Sequence, residues 1–317
     1  MSLSLLNIKN LSVSFKTDKG FLGVVSGLSF DMKKSEVFGL VGESGCGKSL
    51  TALSIMRILP GNAFAEGEIF FNDKNLLTLG ENEMRGIRGK DISMIFQEPM
   101  TSLNPVLTVG YQIAEALTAH FDISKKEAMN RAVELLRDVK IPSPELRIKD
   151  YPHQMSGGMR QRVMIARAIA CNPQLLIADE PTTALDVTIQ AQILELLQGL
   201  RKERDMSVLL ITHDLSIISE QADRVAIMYA GRIMELADVD ELFINPLHPY
   251  TKGLLESLPV AKGAALKPIT GFVPTPDQFP DGCKFSDRCN SASDICMGRE
   301  PDLREISKNH FVRCIKV

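Results

Sequence analysis

The sequence lacks a strong charge of either sign. Its 36 Lys and Arg residues stand against 39 Asp and Glu residues, which leaves a formal net charge of −3. No global basic field therefore favours nucleic acid as a partner. The sequence also lacks an apolar run of the roughly 18 residues that a membrane-spanning helix needs. These absences argue against a nucleic-acid-binding protein and against an integral membrane protein.

A secretory start is missing as well. Residues 1–7 do not combine a basic segment with a long apolar core, as a signal peptide does. We therefore expect a cytosolic protein, in which cysteine thiols stay reduced. No internal repeat or low-complexity tract is present. With 317 residues, 44% of them apolar, the chain is long enough for about two domains with buried cores.

A glycine-rich segment, residues 42–49, stands between a predicted buried strand at 37–41 and a predicted helix at 49–59. We call it the glycine loop. This is the setting in which GxxxxGK[ST] binds phosphate, because the glycines let backbone N–H groups turn inward. Lys48 is expected to reach the β- and γ-phosphates, and the Ser49 hydroxyl is expected to ligate Mg²⁺. The alternative is a glycine-rich turn that matches the motif by chance. The predicted nucleotide contacts are Gly42, Ser44, Gly45, Cys46, Gly47, Lys48, Ser49 and Leu50.

Strands and helices alternate through most of the chain. Further strands are predicted at 6–15, 27–32, 67–73, 91–96, 175–178, 208–212 and 225–228, and further helices at 159–170 and 187–200. Residues 109–136 carry helical patterning, with a capping box at Ser124 and Glu127. This pattern predicts a mainly parallel sheet covered by helices on both faces, with a helical insert.

Four polar residues directly follow predicted strands, where ligands bind in such sheets. Asp179 is suited to hold Mg²⁺ through water, and Glu180 is suited to polarise an attacking water. His213 could hydrogen-bond the γ-phosphate, and Gln97 could contact the metal or the water. The alternatives are an acidic pair that caps a strand end and a histidine with a structural role.

A second small-residue turn, Ser156-Gly157-Gly158, opens the predicted helix at 159–170. We call it the serine–glycine turn. Such a turn at a helix N-terminus is a second phosphate cradle. One nucleotide does not need two cradles from one chain, so either there are two sites or this turn serves a nucleotide held by another molecule. The alternative is a glycine turn required for packing.

Together these motifs resemble the nucleotide-binding subunit of an ATP-binding-cassette (ABC) transporter, over about residues 5–240. The motifs that carry the resemblance are residues 42–49, Gln97, residues 156–162, Asp179-Glu180, Ala184-Leu185-Asp186 and His213. The resemblance implies an α/β fold with a P-loop NTPase core, an antiparallel β part and a helical subdomain at about 97–162. It also implies ATP and Mg²⁺ as ligands.

The resemblance further implies a head-to-tail dimer that sandwiches two ATP molecules. The glycine loop of one chain would face the serine–glycine turn of the other, and Asp186 would bridge the two chains. Gln97 would link the site to transmembrane subunits, and Phe15 would stack on adenine unless it is a core strand residue. Two departures are visible, since Met155 stands where Leu is usual and Phe15 stands where Tyr is common.

The remainder of the chain narrows the family. Residues 245–255, with Gln97-Glu98-Pro99 and Leu103-Asn104-Pro105, resemble the ATPases of dipeptide and oligopeptide importers. We therefore predict an ABC domain at 1–240 and an irregular C-terminal extension at 241–317, which we call the tail and which is rich in proline from about residue 258. The implied partners are a second homologous ATPase subunit, two transmembrane permease subunits and, indirectly, a solute-binding protein. The implied location is the cytoplasmic face of the membrane, with no nucleic acid bound.

Two other functions remain open. A soluble ABC ATPase that acts on nucleic acid or ribosomes commonly has two cassettes or a long coiled-coil insert, and this chain has neither. A nickel or metal-chelate importer is a closer alternative, and the cysteines of the tail make it less favoured.

Four of the six cysteines, Cys283, Cys289, Cys296 and Cys314, lie in the tail. Structural zinc usually has pairs of ligands two to four residues apart, and this pattern lacks them. The wider spacing suits a [4Fe–4S] cluster held by four thiolates, and the resemblance to peptide-importer tails points the same way. Zinc and the absence of any metal are the alternatives, while a cytosolic setting opposes disulfides. Cys46 and Cys171 are expected to be packing residues.

Overall fold

The computed structural model describes residues 4–97, 102–183, 185–258 and 268–317. Glu98, Pro99 and Ala184 of the motifs above lie outside these residues. The strands are β1 (Ser4–Thr17), β2 (Gly20–Lys33), β3 (Val37–Val41), β4 (Ala63–Phe71), β5 (Lys74–Asn75), β6 (Ile92–Ile95), β7 (Leu175–Asp179), β8 (Ser207–Thr212), β9 (Arg224–Tyr229), β10 (Arg232–Asp238), β11 (Arg304–Ser307) and β12 (His310–Val312).

Helices occupy the connections between most of the strands. They are α1 (Lys48–Met56), α2 (Glu81–Ile87), α3 (Val109–Thr118), α4 (Lys125–Asp138), α5 (Pro144–Arg147), α6 (Gly157–Ala168), α7 (Val187–Arg204), α8 (Leu215–Gln221), α9 (Val239–Ile244), α10 (Pro249–Glu256) and α11 (Asp294–Gly298). No helix among the described residues combines the length and the apolar character needed to cross a membrane.

The chain divides into two units. The first unit comprises Met1–Thr78 and Leu210–Val317, and the second unit comprises Leu79–Leu209. Strand β8 begins in the second unit and ends in the first. The domain boundary at residue 240 stays a prediction.

The first unit contains an antiparallel sheet in the order β2-β1-β4-β5. Its other strands are ordered β11-β12-β10-β9-β3, with β3 and β9 parallel and β10 antiparallel to both β9 and β12. Every residue of β3 is buried, as the apolar run at 37–41 predicts. Gly39 lets α8 approach this strand, because a Cβ at Gly39 would lie 2.7 Å from Ile218 Cδ1.

The second unit contains the parallel pair β6 and β7, in which Ile92 lies opposite Leu175. Helix α4 packs against α3 and α6. The predicted helical stretch at 109–136 consists of two helices, because Ser124 starts a new one by accepting a hydrogen bond from the Glu127 N–H at 3.2 Å. Parallel and antiparallel strands with connecting helices define the α/β class.

The tail is more regular than its composition indicates. Its described residues include the helices α10 and α11, and β12 adds to the sheet beside β10, with Glu235 opposite Val312. The fully buried Glu235 carboxylate accepts hydrogen bonds from the Leu247 and His248 N–H groups at 2.7 and 2.9 Å. His310 Nε2 lies 2.7 Å from the same carboxylate. One buried side chain thus joins β10, the turn before α10 and β12.

Replacing this carboxylate tests how the tail is attached. Glu235→Ala leaves two N–H groups and the buried His310 ring without their acceptor, so we expect a loss of about 3–5 kcal/mol in unfolding free energy. Glu256→Ala, at an exposed position of α10, serves as the matched control and should change stability by less than about 0.5 kcal/mol. Urea denaturation followed by circular dichroism measures both. Equal stability of the two variants would contradict this role of Glu235.

Candidate nucleotide-binding site

The glycine loop leaves β3 and turns sharply into α1. Gly45 and Gly47 have φ values of +81° and +104°, a region that only glycine adopts without strain. A Cβ at Gly42 would lie 2.1 Å from the Met228 carbonyl oxygen, and one at Gly47 would lie 2.7 Å from Val25 Cγ2. The loop is therefore pressed against β9 and β2, and its glycines are required by both conformation and space.

Lys48 is buried at the first position of α1, with 5% of its surface exposed. Its ammonium donates hydrogen bonds to the carbonyl oxygens of Gly42 and Glu43 at 2.7 and 3.0 Å. A buried ammonium needs such acceptors, and phosphate oxygens are stronger ones because they carry charge. The loop thus holds a cation at the point where a phosphate would meet the N-terminus of α1.

The remaining predicted residues of the first unit lie around this loop or at strand ends. Cys46 is fully buried, and burial raises the pKa of its thiol, which fits the predicted packing role. Ser44 is exposed, while Ser49 and Leu50 are half-buried. His213 is exposed just after β8.

Phe15 is half-buried on β1, opposite Leu22 and Ala63. Adenine stacking by Phe15 stays a prediction.

Gln97 and Glu180 are brought together in the second unit. The Gln97 side-chain amide donates a hydrogen bond to Glu180 Oε2 at 3.1 Å, and the Thr183 hydroxyl donates to the same oxygen at 2.7 Å. Glu180 has a φ of +46°, a left-handed conformation that costs a non-glycine residue about 1–2 kcal/mol. Strain of this kind persists where the surroundings fix it, and it clusters at functional sites.

Asp179 precedes Glu180 as the last residue of β7 and is 3% exposed. The four strand residues before it are also buried. A carboxylate in this position has the oxygen chemistry that Mg²⁺ prefers. Its role as a metal ligand stays a prediction.

The serine–glycine turn caps α6. Ser156 Oγ accepts a hydrogen bond from the Met159 N–H at 3.3 Å. A Cβ at Gly158 would lie 2.9 Å from Ile189 Cγ2, whereas one at Gly157 would meet only Leu185 Cδ2 at an ordinary 3.7 Å. Packing inside the second unit therefore explains the glycine at 158 and does not explain the one at 157.

Asp186 is the N-cap of α7, where its Oδ1 accepts from the Ile189 N–H at 3.0 Å. The residue is exposed, so its second carboxylate oxygen can still contact another molecule. The predicted role of Asp186 as a bridge between two chains is compatible with its role as the N-cap of α7.

Two residues of the site escaped the sequence analysis. Arg288, in the tail, forms a two-point ion pair with Glu43 of the glycine loop, with N–O distances of 2.7 and 3.0 Å. Glu43 occupies a variable position of the GxxxxGK[ST] pattern, so the motif assigns it no role. The one signal in the sequence was position, since Glu43 lies in the glycine loop and Arg288 directly precedes Cys289.

The four tail cysteines line one cavity of about 220 Å³, which we call the cysteine cavity. Burial raises the pKa of the Cys283 thiol to about 11 and also raises that of Cys289. Within the described ranges, no three His, Cys, Asp or Glu side chains are close enough to hold one metal ion. The four thiols form a set of soft ligands around one cavity.

A buried strand, a glycine loop with two left-handed glycines and a helix that begins at a buried lysine define a nucleotide-binding protein of the P-loop class. Comparison with solved structures supports this class. The chain resembles the dimeric ATP-binding cassette MJ0796 in a post-hydrolysis state bound to ADP and Pi, with 28% identity and a TM-score of 0.66 over 74% of this chain and 98% of that chain. It also resembles cbiO1 from Clostridium perfringens, with 26% identity and a TM-score of 0.64 over 76% of this chain and 91% of that chain.

Sequence comparisons identify the family. The ABC transporter family model matches residues 25–183, and the model of the oligopeptide/dipeptide transporter C-terminal region matches residues 234–296. The oligopeptide transport ATP-binding protein AppD of Bacillus subtilis is 54% identical over 98% of this chain and 96% of its own length. The dipeptide transport ATP-binding protein DppD of the same organism is 52% identical over 98% and 93%.

The chain therefore belongs to the ABC transporter family, among the ATP-binding proteins of oligopeptide and dipeptide transport. The resemblance inferred from the motifs is confirmed, as is the P-loop NTPase fold class.

The two glycines of the serine–glycine turn give a matched pair of variants. Gly158→Ala places a methyl group against Ile189 and should destabilise the protein by about 1–3 kcal/mol. Gly157→Ala adds a methyl group that makes only an ordinary 3.7 Å contact with Leu185 Cδ2, so it should leave stability unchanged or raise it by up to about 1 kcal/mol. Thermal denaturation followed by circular dichroism compares the two. A lower melting temperature for Gly157→Ala than for Gly158→Ala would contradict the geometry.

Proposed function

We propose that the chain is the ATP-hydrolysing subunit of a membrane importer for dipeptides or oligopeptides. The observation that carries this proposal is the similarity to peptide transport ATP-binding proteins over 98% of the chain, tail included. A metal-chelate importer is less favoured, because the family model that matches residues 234–296 is that of the oligopeptide/dipeptide transporter C-terminal region.

In this function the glycine loop binds the phosphates of ATP. The buried Lys48 ammonium exchanges its loop carbonyls for β- and γ-phosphate oxygens. The Ser49 hydroxyl and the Asp179 carboxylate would hold Mg²⁺, which would offset the negative charge of the phosphates. Glu180 acts as the general base for the attacking water. The hydrogen bond from Gln97 to Glu180 supports this assignment, because it orients the carboxylate. His213 holds the γ-phosphate.

The working form is a head-to-tail dimer. The serine–glycine turn of one chain covers the γ-phosphate bound by its partner, and Asp186 contacts the facing chain. The exposure of Ser156 and Gly157 at the N-terminus of α6, and the lack of a packing reason for glycine at 157, support this arrangement.

The partner is a second homologous ATPase subunit. ATP binding closes the dimer and pushes on two permease subunits at the cytoplasmic face of the membrane, with Gln97 near that contact. A solute-binding protein delivers the peptide to the permeases.

Glu180 gives the direct test of the chemistry. Glu180→Gln keeps the size of the side chain but removes the base, so we expect ATP turnover to fall by at least about 10²-fold while ATP binding is retained. Glu195→Gln, which changes an exposed carboxylate of α7, is the control and should turn over normally. Phosphate release measures turnover, and retained radiolabelled ATP measures binding. Normal turnover by Glu180→Gln would refute the assignment.

We also propose a [4Fe–4S] cluster held by Cys283, Cys289, Cys296 and Cys314. Support comes from the four thiols that line the cysteine cavity and from their chemistry. The cluster would be structural, since it would connect the short helical and irregular segments from which its four ligands come.

Metal analysis tests this proposal. Chain purified without oxygen should contain about four iron and four sulfide per chain and absorb visible light. Cys296→Ser should lose the iron, whereas Cys171→Ser, at a buried cysteine of the second unit, should keep it. Zinc in place of iron, or no metal in the intact chain, would contradict the proposal.

A further inference from the structure

Every polar group of Glu43 in the glycine loop has a partner within the first unit. Its N–H donates a hydrogen bond to Tyr250 Oη at 3.2 Å, and its carbonyl oxygen accepts one from Lys48 at 3.0 Å. Its carboxylate accepts two from Arg288, at 2.7 and 3.0 Å. The loop residue that holds the catalytic-site ammonium is thus itself held by two residues of the tail.

Arg288 is fixed as firmly as its partner. It is 8% exposed, and its Nε donates a hydrogen bond to the Thr270 carbonyl oxygen at 2.9 Å. Its guanidinium lies over the rings of Tyr229 and Phe285, 5.6 and 6.0 Å from their centroids. Each of the three guanidinium nitrogens therefore donates a hydrogen bond, and the group is stacked between side chains. These contacts fix the orientation in which Arg288 meets the carboxylate.

The rings around Arg288 also reach the loop. Tyr229 packs on Tyr250 and Phe285 with centroids 4.8 and 5.3 Å apart. Two residues after Tyr229, the Gly231 N–H donates a hydrogen bond to the Cys46 carbonyl oxygen at 3.0 Å. The glycine loop is therefore held at Glu43 by the tail and at Cys46 by the turn after β9.

Charge gives the ion pair a consequence for ligand binding. The Glu43 side chain is 31% exposed and belongs to the loop that receives phosphates. A carboxylate in that position repels an anion unless it is neutralised, and the repulsion is strong where water is partly excluded. Arg288 supplies the neutralising charge, so its loss should weaken the binding of ATP.

We propose that Arg288 is a positioning residue for ATP, acting through Glu43: it fixes the glycine loop and neutralises the carboxylate beside the phosphates. The tail then contributes to nucleotide binding as well as to assembly. This inference rests on the proposed binding of ATP to the glycine loop.

The test measures ATP affinity of the full-length chain by competition with a fluorescent ATP analogue in the presence of Mg²⁺. Arg288→Gln leaves the carboxylate without its cation, so ATP should bind at least about fivefold more weakly. The double variant Arg288→Gln with Glu43→Gln removes both charges and should bind ATP more tightly than Arg288→Gln alone. A purely structural role of Arg288 would not produce this recovery.

Glu300→Gln is the matched control, because Glu300 forms a comparable ion pair with Arg232 at 2.7 Å in the same unit. It should change ATP affinity by less than about twofold. A loss below about fivefold in Arg288→Gln, or a double variant no better than Arg288→Gln, would overturn the inference. Wild-type chain that failed to bind ATP would overturn the proposed function too.

Folding of each variant is checked by circular dichroism. If Arg288→Gln does not fold, Arg288→Lys replaces it, since lysine keeps the charge but loses the two-point fork. ATP binding by Arg288→Lys at least about twofold weaker than wild type supports the inference, and a smaller change refutes it.

Discussion

A buried ammonium within a tight glycine loop is the constraint on which the first unit depends. Lys48 is held by the loop carbonyls of Gly42 and Glu43, and it can be held there only if the backbone passes very close to its neighbours. At Gly42 even one methyl group would collide with the Met228 carbonyl. The strands behind the loop thus fix its shape before any ligand arrives, so that binding a phosphate requires little rearrangement.

The tail is part of this structure. The Glu235 carboxylate fastens β12 and the turn before α10 to β10, while Arg288 reaches the loop itself. Each contact involves a charged side chain that is largely shielded from water. Each therefore gives that side chain a partner whose loss would be costly. A chain that ended near residue 240 would lose both contacts, and Glu43 would lose the residues that hold its carboxylate and its N–H.

The sequence was informative where a local pattern has one physical cause. The apolar run at 37–41 is a fully buried strand because it pairs with β9 and packs against α8. Gln97 and Glu180 meet because both follow paired parallel strands. Strand β11 could not be predicted, since all four of its residues are exposed, and the three residues of β12 are too few to show a period. The ion pair between Arg288 and Glu43 joins residues 245 positions apart, and no periodicity reports such a contact.

Hydrogen–deuterium exchange of the intact chain, with and without ATP and Mg²⁺, tests the central claim most directly. The account predicts that the backbone amides of residues 44–49 exchange more slowly when ATP is bound, because they then donate to phosphate oxygens. Saturating ATP that left the exchange of these amides unchanged would contradict it.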